Sequence, residues 1–248
     1  MVSAVSLLLL ALAAAPASAV DARTAVEAFV SRLTHVSLAD MTVTESFVLY
    51  DRDGRSEQAS GERRLFVKIP RRERVEETLE GRRVVSILLD GRLWVRRSDG
   101  GVYEAPAVDA QRARADLLTS FRHTAADLLE VWRSLGIRDD VVHDERAGGR
   151  LVTVIGARPG DRASPAVWLD PEYGVIRLVW REKLPAREGV VDLALSDHRR
   201  VVSDFFYPFR RELFLDGRLL TRVTIRDVAV NTNLPDDLFD PAALRRIQ

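Results

Sequence analysis

Histidine, serine and the carboxylates carry the reactive groups of this chain, and their spacing gives them little to do together. His35, His123, His143 and His198 stand far apart, and none lies beside a cysteine or another histidine at metal-ligand spacing. His123 and Asp127 fall on one face if their segment is helical, but two groups do not make a metal site. The chain has no Gly-x-Ser-x-Gly, no His-Glu-x-x-His and no phosphate-binding glycine loop. Nucleophilic catalysis needs a base held against the nucleophile, and no spacing here ties a serine to a histidine. No catalytic residue, metal or cofactor is expected.

The charges point the same way. Basic and acidic residues balance at 37 each, with no basic stripe, which argues against nucleic acid as a partner. The run Arg71-Arg72-Glu73-Arg74-Val75-Glu76-Glu77 mixes both signs, as a solvated strand edge that resists edge-to-edge pairing does. Arg199-Arg200 and Arg210-Arg211 are read in the same way.

What remains is apolar surface. Phe47, Leu65, Val67, Ile69, Val85, Ile87, Leu93 and Trp94 sit in strand-like runs. Phe29, Leu118, Phe121 and Trp132 sit in helix-like ones. These side chains would line a lipid-binding cavity or fill a core, and the two uses draw on the same residue types. An acyl chain gains about 0.8 kcal/mol per buried methylene, so a modest groove would hold one.

The elements that must position them centre on residues 61–95, which read as four strands in succession. Leu65, Val67 and Ile69 alternate onto one face, and Val84–Leu89 is almost wholly apolar. Asp90-Gly91 and Asp216-Gly217 are hairpin signals, and Pro70 ends a strand or lies on an edge. Asp21–His35 has one apolar stripe at helical spacing. Val43–Tyr50 is the first strand, and Val102–Glu104 follows the central four. Pro106 opens a helical region with Leu117, Leu118 and Phe121 as one apolar set. Leu128, Leu129, Val131, Trp132 and Leu135 form a second, closed by Gly136. Strands return at Leu151–Ala157, Val167–Leu169, Val175–Arg181, Val190–Leu195, Phe205–Phe209, Arg211–Leu215 and Leu219–Val230. In the tail, Leu234, Leu238 and Phe239 should pin Asn231–Pro241 to the body. The fold class is mainly β: a strongly curved antiparallel sheet of about 11 strands, an unclosed half-barrel with about three amphipathic helices as a lid.

Residues 1–19 read as a signal peptide. Val5–Ala15 is too short an apolar run to span a bilayer, and Ala17-Ser18-Ala19 supplies a small-x-small cleavage site. There is no cysteine to staple the fold or to take a lipid anchor. An exported single domain over residues 20–248, free in the periplasm, is expected.

In their order, Gly61-Glu62, Val67-Lys68-Ile69-Pro70, Leu89-Asp90-Gly91 and Leu93-Trp94-Val95 resemble the periplasmic outer-membrane lipoprotein-sorting carriers, the LolA-like/LolB-like fold superfamily. Trp168-Leu169-Asp170-Pro171, Tyr207-Pro208 and Leu234-Pro235-Asp236-Asp237-Leu238-Phe239-Asp240-Pro241 are similar to the broader set of sorting-like proteins. The resemblance implies a half-barrel with a helical lid and acyl chains held between them. It also implies an arginine directly before the strand-end proline, hydrogen-bonded to the lid. Here Ile69 and Pro70 fill the lid-contact position.

Two functions follow as expectations. One is a monomeric, non-enzymatic carrier that takes an acylated lipoprotein or lipid from an inner-membrane donor toward an outer-membrane acceptor. The other is a regulatory or scaffold module of the same fold that senses lipoproteins or holds a protein partner. A hydrolase would need a polar, convergent cleft.

Overall fold

A computed structural model describes residues 21–69, 72–106, 124–184 and 187–246 of the 248-residue chain. The strands are β1 (Asp40–Tyr50), β2 (Glu57–Lys68), β3 (Arg72–Leu79), β4 (Arg82–Leu89), β5 (Arg92–Arg96), β6 (Val102–Glu104) and β7 (Val142–Ala147). They continue with β8 (Arg150–Ile155), β9 (Ala166–Asp170), β10 (Gly174–Lys183), β11 (Glu188–Val202), β12 (Phe205–Leu215) and β13 (Arg218–Val230). The α-helices among the described residues are α1 (Ala22–Leu33) and α2 (Ala125–Ser134), and 3-10 turns lie at Asp236–Phe239 and Pro241–Arg246.

All the strands among the described residues join one 13-stranded sheet in the order β6-β5-β4-β3-β2-β1-β13-β12-β11-β10-β9-β8-β7. The chain winds outward from β1 to the β6 edge and crosses to the β7 edge through the stretch that holds α2. It then winds back until β13 lies beside β1. β6 and β7 do not pair, so the sheet is an unclosed half-barrel under helices. Register shifts at Thr44/Glu45, Leu49/Tyr50, Val175/Arg177, Arg200/Val202 and Leu213/Phe214 mark bulges, which sharpen the local twist and curl the sheet.

The hairpins form as expected. Asp90-Gly91 has φ of 49° and 82°, and Asp216-Gly217 has 50° and 77°, the paired positive values of a tight turn that follows the strand twist. Two strands depart from the expectation. Residues 205–215 make one strand through Pro208, not two. Pairing with β13 begins only at Arg210, so Pro208 lies where one side of β12 has no neighbour and its missing N–H empties no rung. Strand β7, VHDERA, was not legible as a strand, because it lies at the sheet edge and its side chains are half-buried or exposed.

The helices are capped by their own sequences. The Asp21 carboxylate accepts from the Thr24 N–H at 2.8 Å. Thr124 and Asp127 form a capping box on α2, and Gly136, with φ of 83°, follows its end. Asp127 is therefore employed in the cap, while His123 lies outside the described residues. Ala22, Val26, Phe29 and Leu33 of α1 and Leu128, Leu129 and Trp132 of α2 are buried in one cluster with β1, β2 and β8 to β13.

Candidate functional site

Residues directly opposite one another in neighbouring strands share a face. From Val43 one such row runs through Leu65, Val75, Ser86 and Val95 to Tyr103. In the other direction Phe47 stands opposite Val223, Val223 opposite Arg211, and Arg211 opposite Leu195. This inner face is the one that the helices cover, since Val43, Phe47, Leu65 and Val67 share a cluster with Phe29 and Trp132. The structure thus brings together Phe29, Phe47, Leu65, Val67 and Trp132.

It does not bring Val85, Ile87 and Trp94 to them. Ile87 stands opposite Arg74 and Trp94, and Arg74 opposite Phe66, all out of phase with the Leu65 row. Val85, Ile87 and Trp94 pack on the outer face with Leu244. The expectation that they share a wall with Leu65 and Val67 is corrected by register. A strand apolar on both faces, as RRVVSILL is, does not declare which set turns inward. Ile69 is half-buried past the end of β2, and its N–H donates to the Ala39 carbonyl at 3.0 Å. Pro70, Leu118 and Phe121 lie outside the described residues.

The inner face is not fully covered. Val84, Tyr103 and Leu151 are the exposed large apolar residues among the described ones, at 37%, 47% and 57%. Val84 stands opposite Glu77, and Glu77 opposite Arg63, on the inner face. Leu151 lies two residues from Thr153, which faces Leu169 of the main cluster. All three therefore point inward, two near the β6 edge and one near the β7 edge. Sequence reasoning missed them, because exposure is not visible in a pattern of apolar residues.

A buried ionic group interrupts this face. Glu45 alternates inward between Val43 and Phe47 and is 1% exposed. Arg63 donates to its carboxylate at 2.9 Å and to Glu77 at 2.7 Å, and Arg211 contacts the same carboxylate. Removal from water pushes the Arg211 guanidinium down to about 10. The Arg63 guanidinium lies 5.1 Å from the Phe47 ring centre. Gly61 makes the packing possible: a Cβ there would stand 2.4 Å from Phe47, so the ring lies over bare backbone. The arginine pair 210-211 is thus split by the strand period, with Arg210 exposed and Arg211 turned inward.

One end of the lid is tied down by α1. Arg32 donates to the carbonyls of Pro171, Glu172 (2.8 Å) and Asp204 (3.1 Å). The turn that offers two of these carbonyls is fixed by Asp170, fully buried, which accepts from the N–H groups of Glu172 (2.7 Å) and Tyr173 (2.9 Å) and from Arg150 at 3.0 Å. Burial alone would raise the Asp170 pKa, but these donors hold it below the usual carboxylate range. The Phe29 ring lies against Gly174, where a Cβ would come within 2.5 Å. Behind the turn Tyr173 stacks on His198 at 4.8 Å, and burial holds that imidazole down to about 4. Among the described residues no group of three or more histidines and carboxylates is placed to hold a metal.

No protein-family model matches the sequence, and no curated protein does either. Solved structures do match. A domain named for outer membrane lipoprotein sorting from Vibrio parahaemolyticus superposes with a TM-score of 0.60 at 13% identity, over 91% of this chain and 100% of its own. A LolA superfamily protein from Nitrosomonas europaea gives 0.53 at 12%, over 90% and 98%. This chain has the LolA-like fold. A DUF1329 family protein from Desulfovibrio piger is also similar, at 0.56 and 13%, over 91% and 100%.

Within the LolA-like fold, the strand-end position at which the resemblance implies a lid-binding arginine holds Ile69, whose backbone N–H donates to Ala39. The tie between helix and sheet runs the other way: the arginine is on α1, and the sheet's turns supply the acceptors. No helix among the described residues is long and apolar enough to cross a membrane.

Proposed function

We propose that the chain is a non-enzymatic carrier that holds the acyl chains of a lipid or lipoprotein against the inner face of its sheet. Phe29, Phe47, Leu65, Val67 and Trp132 form the floor of that site, and Val84, Tyr103 and Leu151 its edges. One observation carries the reading: the exposed large apolar side chains among the described residues all point to the inner face, away from the outer surface. Apolar area left in water on a concave, helix-edged surface marks a place where something apolar docks. The likeness to a domain named for lipoprotein sorting supports acyl chains as the occupant.

Residues 1–19 direct export and are removed, and residues 20–248 work as one domain in the periplasm. Transfer is exchange without chemistry: α1 and α2 part from the sheet, the chains enter, and affinity differences between an inner-membrane donor and an outer-membrane acceptor set the direction. Native mass spectrometry with lipid extraction, on protein purified from the periplasm, tests this. Acyl lipid should travel with the folded protein. A clean apo mass with no uptake of added phospholipid would overturn the carrier and leave the scaffold module in its place.

A further inference from the structure

We propose that Arg211 binds the acidic head of the lipid, an anionic oxygen group at the end of an alkyl chain; this deepens the carrier reading and rests on it. The Arg211 side chain is 12% exposed and rises from the inner face of β12 between Val223 and Leu195. Its Nε is buried and has no hydrogen-bond partner, and its bond to Glu45 is its one polar contact among the described residues. A guanidinium carries five donors, and native interiors rarely leave a charged one unmet.

The Glu45 carboxylate leaves the Arg211 Nε–H for a second acceptor. Glu45 is 1% exposed and shared by two arginines, whereas Arg63 and Glu77, at 32% and 34%, are both partly in solvent and pair with each other. The buried part is the Arg211–Glu45 pair, in which the carboxylate meets only part of what the five guanidinium donors can give. The surroundings decide how the anion arrives. Leu195 and Val223 flank Arg211 across the sheet, and Phe209 and Leu213 flank it along its own strand. An acceptor that reaches this nitrogen passes through an apolar layer, which a free ion does poorly and the end group of an acyl chain does well. Fatty carboxylate and lysophospholipid phosphate share the required chemistry, and both form strong charge-assisted bonds with arginine.

The test is competitive displacement on the delipidated protein with hexadecanoate, a palmitoyl lysophosphatidate and hexadecanol, in the wild type and in Arg211→Met. The wild type should prefer at least one acid over the alcohol by about tenfold or more. In Arg211→Met that ratio should fall toward one. Whichever acid loses more names the head group. An acid preference that survives in Arg211→Met, or that is missing in the wild type while hexadecanol binds, overturns the Arg211 site and leaves the carrier standing. Binding of none of the three overturns both. Should Arg211→Met not fold, the Arg211 Nε–H resonance of ¹⁵N-labelled wild type supplies the second readout. It should shift with the preferred acid and not with hexadecanol, and an unmoved resonance in a ligand-saturated sample overturns the proposal.

Discussion

Strand β4 bears apolar side chains on both faces, and the two faces meet different fates. Outward, Val85 and Ile87 are fully buried, because the chain's own tail lays Leu244 over them. That tail is strapped down along its length. The Asp40 carboxylate accepts from the N–H groups of Thr232 (2.7 Å) and Leu234 (3.1 Å), and Lys68 and Arg72 each reach Asp236 at 2.6 Å. Arg74 donates to the Leu238 carbonyl at 3.1 Å. Inward, Val84 on the same strand stays 37% exposed. The chain covers the outer face of β4 with its own tail and leaves Val84 on the inner face partly in water.

The largest effect is expected on the outer face. Leu244→Ala removes a fully buried contact, so a loss of about 2–5 kcal/mol is expected in denaturant unfolding. Lipid should still travel with the folded fraction. A change of under about 0.5 kcal/mol would mean that the tail does not close the outer face.

A smaller effect is expected at the lid tie. Arg32→Ala deletes three bonds from one guanidinium to carbonyls on two turns, and about 1–3 kcal/mol of local stability should go with them. Hydrogen exchange should quicken in α1 while the strands of the sheet stay protected. Uniform exchange across the molecule would show that α1 is not held separately at this end.

Behind that tie, His198 makes stability depend on pH. Its folded value of about 4 lies below the unfolded value of about 6.5, so between the two only the unfolded chain takes up the proton. Stability should therefore fall as pH drops from about 6.5 toward about 4. His198→Phe, which keeps a ring against Tyr173, should flatten the slope in that window, as read from denaturant midpoints at several pH values. An unchanged slope would assign the pH dependence to other groups.

How much of this the sequence disclosed varies by region. The hairpins at Asp90-Gly91 and Asp216-Gly217, the two capped helices and the mainly β half-barrel were legible, because turn chemistry and periodicity are local properties. Glu45 was legible in principle: in a strand that alternates Val43, Glu45, Phe47, the carboxylate must turn inward with its neighbours. Arg211 was not, since Arg210-Arg211 looks like any solvated pair until register turns one of them in. The faces of β4 were not legible either. Val84 and Val85 are chemically identical neighbours, and only pairing with β3 assigns one to the inner face and the other to the tail.

That pair of faces gives the most direct test of the carrier. The inner-edge variant Val84→Thr, Tyr103→Ser, Leu151→Thr should change stability by no more than about 1 kcal/mol per site, since each side chain is already partly in water. Native mass spectrometry should compare it with Leu244→Ala, both purified from the periplasm. The inner-edge variant should fold normally and lose most of its bound acyl lipid, while the less stable outer-face variant should keep it. Equal lipid on both proteins, or loss from the outer-face variant alone, would contradict the carrier.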